Sequence, residues 1–233
     1  MKVVILAGGR GQRLRPYTDR TPKPMLPLGS KPILAYILNN VKKAGFDEVL
    51  LATGFMHDQI ERYFGNEYKG IRIHYAVEEK PEGTAGSLVK VKDMLDEDFL
   101  VLMGDQLTTI QLHKFYQKHL ENDAIASIVL KEHEIPIEYG TALIDGEKIT
   151  AFEEKPVIKK YINTGIYALN KRIFDYIKVG DDFGKDVFPA LLRNNEKIGY
   201  CLTDKFWVDI GRVKDYEFYR DLMSVSELYH ELR

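Results

Sequence analysis

Short apolar runs alternate with longer amphipathic segments through the first half of the chain, and this alternation restricts the fold more than any other feature. Four apolar runs predict buried strands, at residues 3–6, 48–53, 71–77 and 99–103. Three amphipathic segments predict helices between them, at residues 31–44, 57–64 and 84–95. Strands joined by helices form a parallel sheet with right-handed crossovers. We expect an α/β fold with a Rossmann-like, open, mostly parallel sheet flanked by helices.

The second half has a different pattern, with more strands and turns. Strand-like runs occur at residues 126–130, 141–144, 149–153, 162–169 and 199–202. Helical segments occur at residues 110–120, 171–177 and 186–194, and from residue 213 onward. No linker or internal repeat separates the halves, so residues 1–233 are predicted to form one domain. Its first part covers about residues 1–120. Its second part, about residues 121–233, is expected to extend the sheet, to include a small lobe and to close over one side of a cleft.

Composition excludes several classes of protein. With 45% hydrophobic and 29% charged residues, the chain is typical of a folded globular protein. A net charge of -2 argues against a protein that coats nucleic acid or an anionic membrane, and no apolar run approaches the roughly 20 residues of a membrane span. The single cysteine, Cys201, excludes an internal disulfide and a cysteine zinc cluster. We expect a cytoplasmic protein without a nucleic-acid or membrane partner.

A glycine-rich, basic loop follows the first strand. Gly8, Gly9 and Gly11 allow backbone N–H groups to approach an anion closely. Basic side chains are concentrated in and after the loop, at Arg10, Arg13, Arg15, Arg20 and Lys23. A loop at the carboxyl end of a parallel strand is where open α/β sheets bind ligands. The loop therefore predicts a phosphate-binding site, and so many clustered cations indicate a triphosphate.

Two common nucleotide-binding motifs do not fit this loop. The dinucleotide-binding fingerprint requires a third glycine where Leu14 stands, and the P-loop requires a lysine where Gln12 stands. A nicotinamide-dependent oxidoreductase would also need an acidic ribose ligand after the second strand, where Thr53 and Gly54 occur. The loop is thus a different kind of phosphate cradle.

Six motifs, taken in order, resemble those of the sugar-1-phosphate nucleotidylyltransferases. They are Leu6–Thr18 with Pro22–Pro24, Pro81–Gly86, Gly104–Asp105, Phe152–Pro156, Asn163–Tyr167 and Trp207–Gly211. The pattern is most similar to mannose-1-phosphate or heptose-1-phosphate guanylyltransferases, without the hexapeptide-repeat domain that many relatives carry. The resemblance implies an enzyme that joins a nucleoside monophosphate from a nucleoside triphosphate to a sugar 1-phosphate and releases pyrophosphate.

The resemblance also implies a role for each motif residue. Arg13, Lys23 and Asp105 are the expected catalytic residues, and Asp105 and Asp209 are expected to bind Mg²⁺. The expected nucleotide-binding residues are Leu6, Gly8, Gly9, Gly11, Arg13, Glu78, Gly83 and Thr84. The expected sugar-phosphate-binding residues are Gly140, Glu154, Lys155, Asn163 and Gly165. The partners are therefore a nucleoside triphosphate and a sugar 1-phosphate.

The base and the sugar depend on fewer residues. A carboxylate at Glu78 can accept both adjacent N–H donors of guanine, which favours GTP with mannose 1-phosphate or a heptose 1-phosphate. Two alternatives stay open: a thymidylyl- or uridylyltransferase acting on glucose 1-phosphate or an amino sugar 1-phosphate, and an inactive nucleotide-sugar-sensing subunit. The apolar C-terminal stretch, Tyr216, Tyr219, Leu222, Met223 and Leu228, packs either on its own domain or on a second copy in a homodimer.

Overall fold

The computed structural model describes the backbone of residues 1–231 and the side chains of residues 1–225. Its strands, in chain order, are β1 (Lys2–Ala7), β2 (Pro27–Leu28), β3 (Lys31–Pro32), β4 (Glu48–Thr53), β5 (Glu67–Tyr68), β6 (Ile71–Val77), β7 (Phe99–Met103), β8 (Gln106–Thr108), β9 (Ala126–Pro136), β10 (Thr141–Asp145), β11 (Lys148–Glu153), β12 (Val157–Leu169), β13 (Ile198–Thr203) and β14 (Trp207–Asp209). The α-helices are α1 (Ile33–Lys43), α2 (His57–Phe64), α3 (Leu112–Glu121), α4 (Phe188–Arg193) and α5 (Val213–Glu231).

Eight strands form one sheet in the order β13-β9-β12-β7-β1-β4-β6-β5. The central strands β7, β1, β4 and β6 are parallel, and β13 is parallel to β9. Strand β12 is antiparallel to both β7 and β9. The expected Rossmann-like, mostly parallel sheet is confirmed, and strands from both halves of the chain contribute to it.

The central strands are apolar on both faces because each face has its own core. On β1, Val3 and Ile5 belong to one buried cluster and Val4 to the other. The first cluster packs under α1, α3 and α5, and the second under residues 85–95 and 173–191. Burial on both faces explains why the sequence of β1 is continuously apolar rather than alternating.

Three predicted helices have a different form in the structure. Residues 84–95 contain a 3-10 helix, Gly86–Met94, and residues 171–177 contain a shorter one, Lys171–Asp175. Residues 186–194 correspond to a π-helical turn, Phe183–Val187, followed by α4. At Gly86 a Cβ would lie 2.6 Å from the backbone N of Gly180, so this segment packs backbone to backbone instead of through the side chains of a regular α-helix. The short strands β2, β3, β5, β8 and β14 were not predicted.

Strands β9 and β12 extend beyond the sheet as an exposed arm. Their predicted spans, residues 126–130 and 162–169, are too short, because the pairing continues from Lys131 with Ile162 to Pro136 with Val157. Surface ion pairs link this extension, with Lys159 Nζ 2.9 Å from Glu134 and 3.3 Å from Glu132. The hairpin β10–β11 lies at its far end. We call residues 131–162 the arm.

Helix α5 packs against its own domain. Tyr216 is buried and its hydroxyl donates to the Pro27 carbonyl at 3.0 Å. Tyr219 and Met223 pack on the first core cluster, whereas Leu222 is exposed and the side chain of Leu228 lies outside the described residues. The hydroxyl of Tyr17 donates to Glu217 at 2.7 Å, which fastens the segment after the glycine loop to α5. Within residues 1–231, no helix combines the length and the apolar character needed to cross a membrane.

Candidate functional site

A cleft of about 620 Å³ opens at the carboxyl ends of β1 and β7. Every residue predicted to bind the nucleotide lines it: Leu6, Gly8, Gly9, Gly11, Arg13, Glu78, Gly83 and Thr84. Lys23 and Asp105 line the same cleft. The fold therefore brings into one cleft residues as far apart in the sequence as Leu6 and Gly211. This position agrees with the rule that open α/β sheets bind ligands at the carboxyl ends of their strands.

The glycine loop is held in a single tight conformation. Gly11 has a φ of 62°, and a Cβ there would lie 2.9 Å from Thr18 Cγ2. Thr18, itself buried, donates its hydroxyl to the Gly11 carbonyl at 2.8 Å. The positive φ and the close threonine both exclude a larger residue, so glycine is required at this point of the loop. Arg13 follows on a 3-10 turn, Gln12–Leu14, with its side chain exposed.

Lys23 forms salt bridges with both of the aspartates that are predicted to bind metal. Its ammonium contacts the carboxylate of Asp105 and lies 3.6 Å from Asp209 Oδ1, although the residue is only 8% exposed. Strand β14 pairs with β8, which places Asp209 opposite Gln106 and beside Asp105. Burial raises the pKa of Asp209, the Asp105 carboxylate raises it further, and Lys23 and Arg13 lower it.

The two carboxylates are suited to a divalent cation. The Asp105 carboxylate raises the pKa of Asp209 because their negative charges repel, and the Lys23 ammonium that contacts both offsets part of this repulsion. Their oxygens are the hard ligands that Mg²⁺ prefers, and Mg²⁺ usually takes one or two carboxylates and keeps several waters. In the part of the chain that the structure describes, no cluster of three or more acidic, histidine or cysteine ligands occurs. The pair thus fits Mg²⁺ better than a metal that needs a full protein cage.

Glu78 lies at the other end of the cleft, against the glycine loop. A Cβ on Gly8 would lie 3.1 Å from Glu78 Oε2, so the carboxylate packs directly over the backbone of the loop. Burial raises the pKa of Glu78, while hydrogen bonds from Ser87 and from the backbone of Glu82 lower it. A half-buried carboxylate beside a phosphate cradle is placed to accept hydrogen bonds from a nucleobase.

Asp182 and Ser87 also line this cleft, and sequence reasoning did not find them. Asp182 accepts a hydrogen bond from the hydroxyl of Thr84 at 2.8 Å and caps the π-helical turn through Gly184 N at 2.9 Å. An aspartate before a helical segment is a recognised cap signal, but its contact with Thr84 depends on tertiary packing. Gly83 packs so closely that a Cβ would lie 2.2 Å from the Asp181 carbonyl.

The predicted sugar-phosphate residues lie outside the cleft. Glu154 and Lys155 are exposed on the arm, and a Cβ on Gly140 would lie 2.7 Å from Glu154 Oε2, so these two motifs do meet. Asn163 donates to the Tyr167 hydroxyl at 2.9 Å and accepts from Gly165 N at 2.9 Å. Gly165, with a φ of 78°, packs against Met103 and Gln106. The structure therefore brings Gly165 to the edge of the cleft and leaves Glu154 and Lys155 on the arm beyond it.

Comparison with known proteins agrees with this geometry. A family model described as nucleotidyl transferase matches residues 2–222. The D-glycero-alpha-D-manno-heptose 1-phosphate guanylyltransferase of Aneurinibacillus thermoaerophilus is 36% identical over 220 residues, covering 93% of this chain and 95% of that protein. The UTP–glucose-1-phosphate uridylyltransferase of Synechocystis is 36% identical over 238 residues, but this chain spans only 61% of its length.

A solved structure has the same fold. The crystal structure of HddC from Yersinia pseudotuberculosis matches with a TM-score of 0.75 and 26% identity, covering 95% of this chain and 98% of that one. The matched family spans the glycine loop, both aspartates and the arm. The chain therefore belongs to the nucleotidyl transferase family, as a sugar-1-phosphate nucleotidylyltransferase that transfers a nucleoside monophosphate from a nucleoside triphosphate to a sugar 1-phosphate.

Proposed function

We propose that this enzyme uses GTP and a manno-configured sugar 1-phosphate, either mannose 1-phosphate or a heptose 1-phosphate, and forms the GDP-sugar and pyrophosphate. The observation that carries the choice of base is the carboxylate of Glu78 over Gly8 at the inner end of the cleft. Guanine presents two adjacent N–H donors, and an ionised carboxylate accepts both. The 36% identity to a heptose 1-phosphate guanylyltransferase along nearly its whole length supports the same choice.

In the proposed reaction, an oxygen of the sugar phosphate attacks the α-phosphorus of GTP. The bond between the α-phosphorus and the bridging oxygen to the β-phosphate breaks, and pyrophosphate leaves with that oxygen. The attacking oxygen is already anionic, so no general base is needed. The protein must then align the two phosphates and neutralise their charge.

In our proposal, Lys23, Arg13 and the glycine loop align the two phosphates and neutralise their charge. The loop and Arg13 bind the β- and γ-phosphates, and Lys23 neutralises the α-phosphate and the incoming phosphate. Lys23 is suited to this because prolines on both sides and burial to 8% exposure fix its position. Asp105 and Asp209 would hold Mg²⁺, which when bound screens the negative charge between the reacting phosphates.

For the sugar, we propose that Glu154 contacts hydroxyl groups and Lys155 the phosphate, with Asn163 and the backbone at Gly140 and Gly165 completing the pocket. Because Glu154 and Lys155 lie on the arm outside the cleft, this role requires the arm to approach the cleft when substrate binds. Hydrogen-exchange rates of the backbone amides of the arm, measured with and without sugar 1-phosphate, test this movement.

We also propose that residues 1–233 act as one cytoplasmic domain and assemble as a homodimer. The continuous eight-stranded sheet supports the single domain. Exposed apolar side chains on the arm hairpin, such as Ile144 and Phe152 at 73% and 68% exposure, favour self-association. Light scattering measures the assembly directly.

A pyrophosphate-release screen tests the proposed substrates. It pairs GTP, UTP, dTTP and ATP with mannose, heptose and glucose 1-phosphates. We expect the highest kcat/KM for GTP with a manno-configured sugar. Equal or higher values for UTP with glucose 1-phosphate would favour the uridylyltransferase alternative, which the Synechocystis relative supports. Nucleotide binding without pyrophosphate release from any pair would indicate an inactive sensing subunit.

A further inference from the structure

A second cavity of about 480 Å³ lies beside the cleft, and the proposed mechanism assigns no ligand to it. Its charged and aromatic lining residues are Arg13, Lys131, His133, Trp207, Arg212 and Asp215, together with Asp209. Arg13 and Gly211 line both this cavity and the cleft, so the two spaces adjoin at Arg13. We call it the outer cavity.

The outer cavity has an excess of positive charge. Arg13, Lys131 and Arg212 are permanent cations, opposed by two carboxylates, of which Asp209 already lies 3.6 Å from Lys23. Lys131 donates to the main-chain carbonyl of Lys205 at 2.9 Å, which holds its ammonium in place without neutralising it. Among the described side chains, neither Arg13 nor Arg212 forms a salt bridge. Guanidinium groups that line a cavity without being held in a salt bridge are suited to bind a phosphate group bidentately.

The position of the outer cavity separates it from the expected sugar site. Ile162 of β12 lines this cavity, whereas the next residue, Asn163, bonds to Tyr167 in the core cluster on the opposite face of the sheet. Successive residues of a strand point to opposite faces. In an in-line displacement the attacking and leaving groups also lie on opposite sides of the phosphorus. If the sugar 1-phosphate attacks from the face of Asn163, the outer cavity is on the side from which the leaving group departs.

We propose that Arg212 and Lys131, together with Arg13, form a pyrophosphate-binding site that receives the terminal phosphates of the nucleotide and holds pyrophosphate as it leaves. This inference rests on the proposed roles of Arg13 and Asn163. Pyrophosphate carries up to four negative charges, and the arginines that line the cleft itself are Arg10 and Arg13. Arg212 and Lys131 supply two further cations at the point where the cleft opens into the outer cavity.

The single tryptophan of the chain gives a direct binding signal. Trp207 lines the outer cavity, and the sequence contains no other tryptophan. Titration with sodium pyrophosphate in EDTA, followed by tryptophan fluorescence, measures binding without metal and without turnover. We expect Arg212→Ala to weaken pyrophosphate binding about tenfold, as loss of one charge-assisted contact predicts. Lys214→Ala is the matched control, because Lys214 is an exposed cation in the first turn of α5, which begins directly after Arg212, and it does not line the cavity.

Reverse-reaction kinetics provide the second test. We expect Arg212→Ala to raise KM for pyrophosphate about tenfold and to leave KM for the nucleotide sugar within twofold, whereas Asp215→Asn removes an opposing charge and lowers KM for pyrophosphate. Arg212→Lys keeps the charge and retains most of the affinity, and melting curves identify any variant that fails to fold. Equal pyrophosphate affinity in Arg212→Ala and Lys214→Ala would overturn the proposal.

A larger effect of Arg212→Ala on the sugar 1-phosphate than on pyrophosphate would also overturn it, because the anion bound there would then be the attacking phosphate. These results leave the proposed nucleotidyl transfer itself intact, as long as wild-type enzyme releases pyrophosphate from a nucleotide and a sugar 1-phosphate. Failure of that wild-type reaction with every pair would instead reject the proposed function, whatever the affinity of the outer cavity.

Discussion

The hydroxyl of Thr84 donates a hydrogen bond to the carboxylate of Asp182 at 2.8 Å, across 98 positions of sequence. The hydroxyl oxygen of Thr84 also accepts a hydrogen bond from the backbone N–H of Phe183 at 3.1 Å. Asp182 in turn accepts from the backbone N–H groups of Gly184 and Lys185. These bonds fasten one wall of the cleft, Gly83 and Thr84, to a π-helical turn contributed by the second half of the chain.

Thr84→Val removes the two hydrogen bonds of the Thr84 hydroxyl, to Asp182 and from Phe183 N, and nearly preserves the shape of the side chain. We expect a loss of about 1–2 kcal/mol in the free energy of unfolding, since a buried backbone donor and the Asp182 carboxylate each lose a partner. KM for the nucleoside triphosphate should rise severalfold, because the wall of the cleft is then less well fixed. Urea unfolding and steady-state kinetics measure the two effects. Thr150→Val on the exposed arm hairpin is the control, and equal effects in both variants would contradict this role.

Glu78→Gln tests the recognition of the base. Glutamine offers one donor and one acceptor, so it suits guanine less well than uracil or thymine. We expect the ratio of kcat/KM for GTP to that for UTP to fall about tenfold or more, within the 1–3 kcal/mol range of such contacts. Glu79→Gln, at an exposed neighbouring position, should leave the ratio unchanged. An unaltered ratio in Glu78→Gln would show that this carboxylate does not select guanine.

Glu78 also predicts a pH dependence of base selection. Burial raises the pKa of its carboxyl group, so it takes up a proton at a higher pH than an exposed glutamate does. The protonated form can no longer accept two hydrogen bonds from guanine. Selection for GTP over UTP should therefore decline as pH falls through this raised pKa, and the decline should be absent in Glu78→Gln. Parallel pH series of kcat/KM for both nucleotides test this.

His119 predicts a pH dependence of stability. It is buried on α3, with Nδ1 2.8 Å from Ser127 Oγ and Nε2 3.2 Å from Asp98. Burial lowers the pKa of His119, against the opposing effect of Asp98, so the unfolded chain binds a proton near pH 6.5 before the folded protein does. Stability contributed by neutral His119 is present above that pH and is lost as pH falls. Burial raises the pKa of Asp98, so the folded protein binds this proton more readily than the unfolded chain does. The effect of Asp98 on the free energy of unfolding therefore has the opposite sign and lies in the acid range.

Urea unfolding at pH 7.5 and pH 6.0 measures this linkage. We expect wild-type protein to lose up to about 0.8 kcal/mol more than His119→Gln over this interval. His113→Gln, an exposed histidine on the same helix, should behave like wild type. If His119→Gln lost as much free energy of unfolding as wild type between pH 7.5 and pH 6.0, a group other than His119 would cause the pH dependence.

Gly83→Ala tests how closely the nucleotide cleft is packed. Gly83 has a φ of 79°, and an added Cβ would lie 2.2 Å from the Asp181 carbonyl. Gly146, with a φ of 55°, has no atom within 4 Å of such a Cβ. We expect Gly146→Ala to cost about 1–2 kcal/mol from backbone strain alone. Gly83→Ala should cost at least about 1 kcal/mol more, because the clash forces the backbone to shift. Similar melting temperatures for the two variants would contradict the packing at Gly83.

The parts of the fold that could be predicted from the sequence are those with a local cause. Strands β4, β6 and β7 were predicted with their observed bounds; β4 and β7 are buried along nearly their whole length, whereas β6 is buried at Ile71 and Ile73 and exposed at Arg72. The glycine loop could be predicted because the positive φ at Gly11 requires a glycine, and that glycine is visible in the sequence. The lengths of β9 and β12 were underestimated, since the arm is exposed on both faces and carries polar residues such as Glu132 and Lys159.

The parts of the site that sequence reasoning missed depend on tertiary contacts. Asp182 and Arg212 were overlooked because each is common in its local setting, before a helical turn and at a helix start. Only the folded chain puts Asp182 against Thr84 and Arg212 beside Arg13. Motif order likewise did not indicate that Glu154 and Lys155 lie on the arm, outside the cleft that holds Asp105.

Incubation of the enzyme with GTP, mannose 1-phosphate and Mg²⁺, with both products quantified, tests nucleotidyl transfer at this cleft most directly. We predict equal amounts of GDP-mannose and pyrophosphate, formed only when the sugar 1-phosphate is present. Asp105→Asn should reduce turnover about 100- to 1,000-fold, whereas Asp204→Asn, an exposed aspartate with its side chain 87% accessible, should not. Pyrophosphate release without sugar 1-phosphate, or a wild-type rate in Asp105→Asn, would contradict the assignment of this cleft.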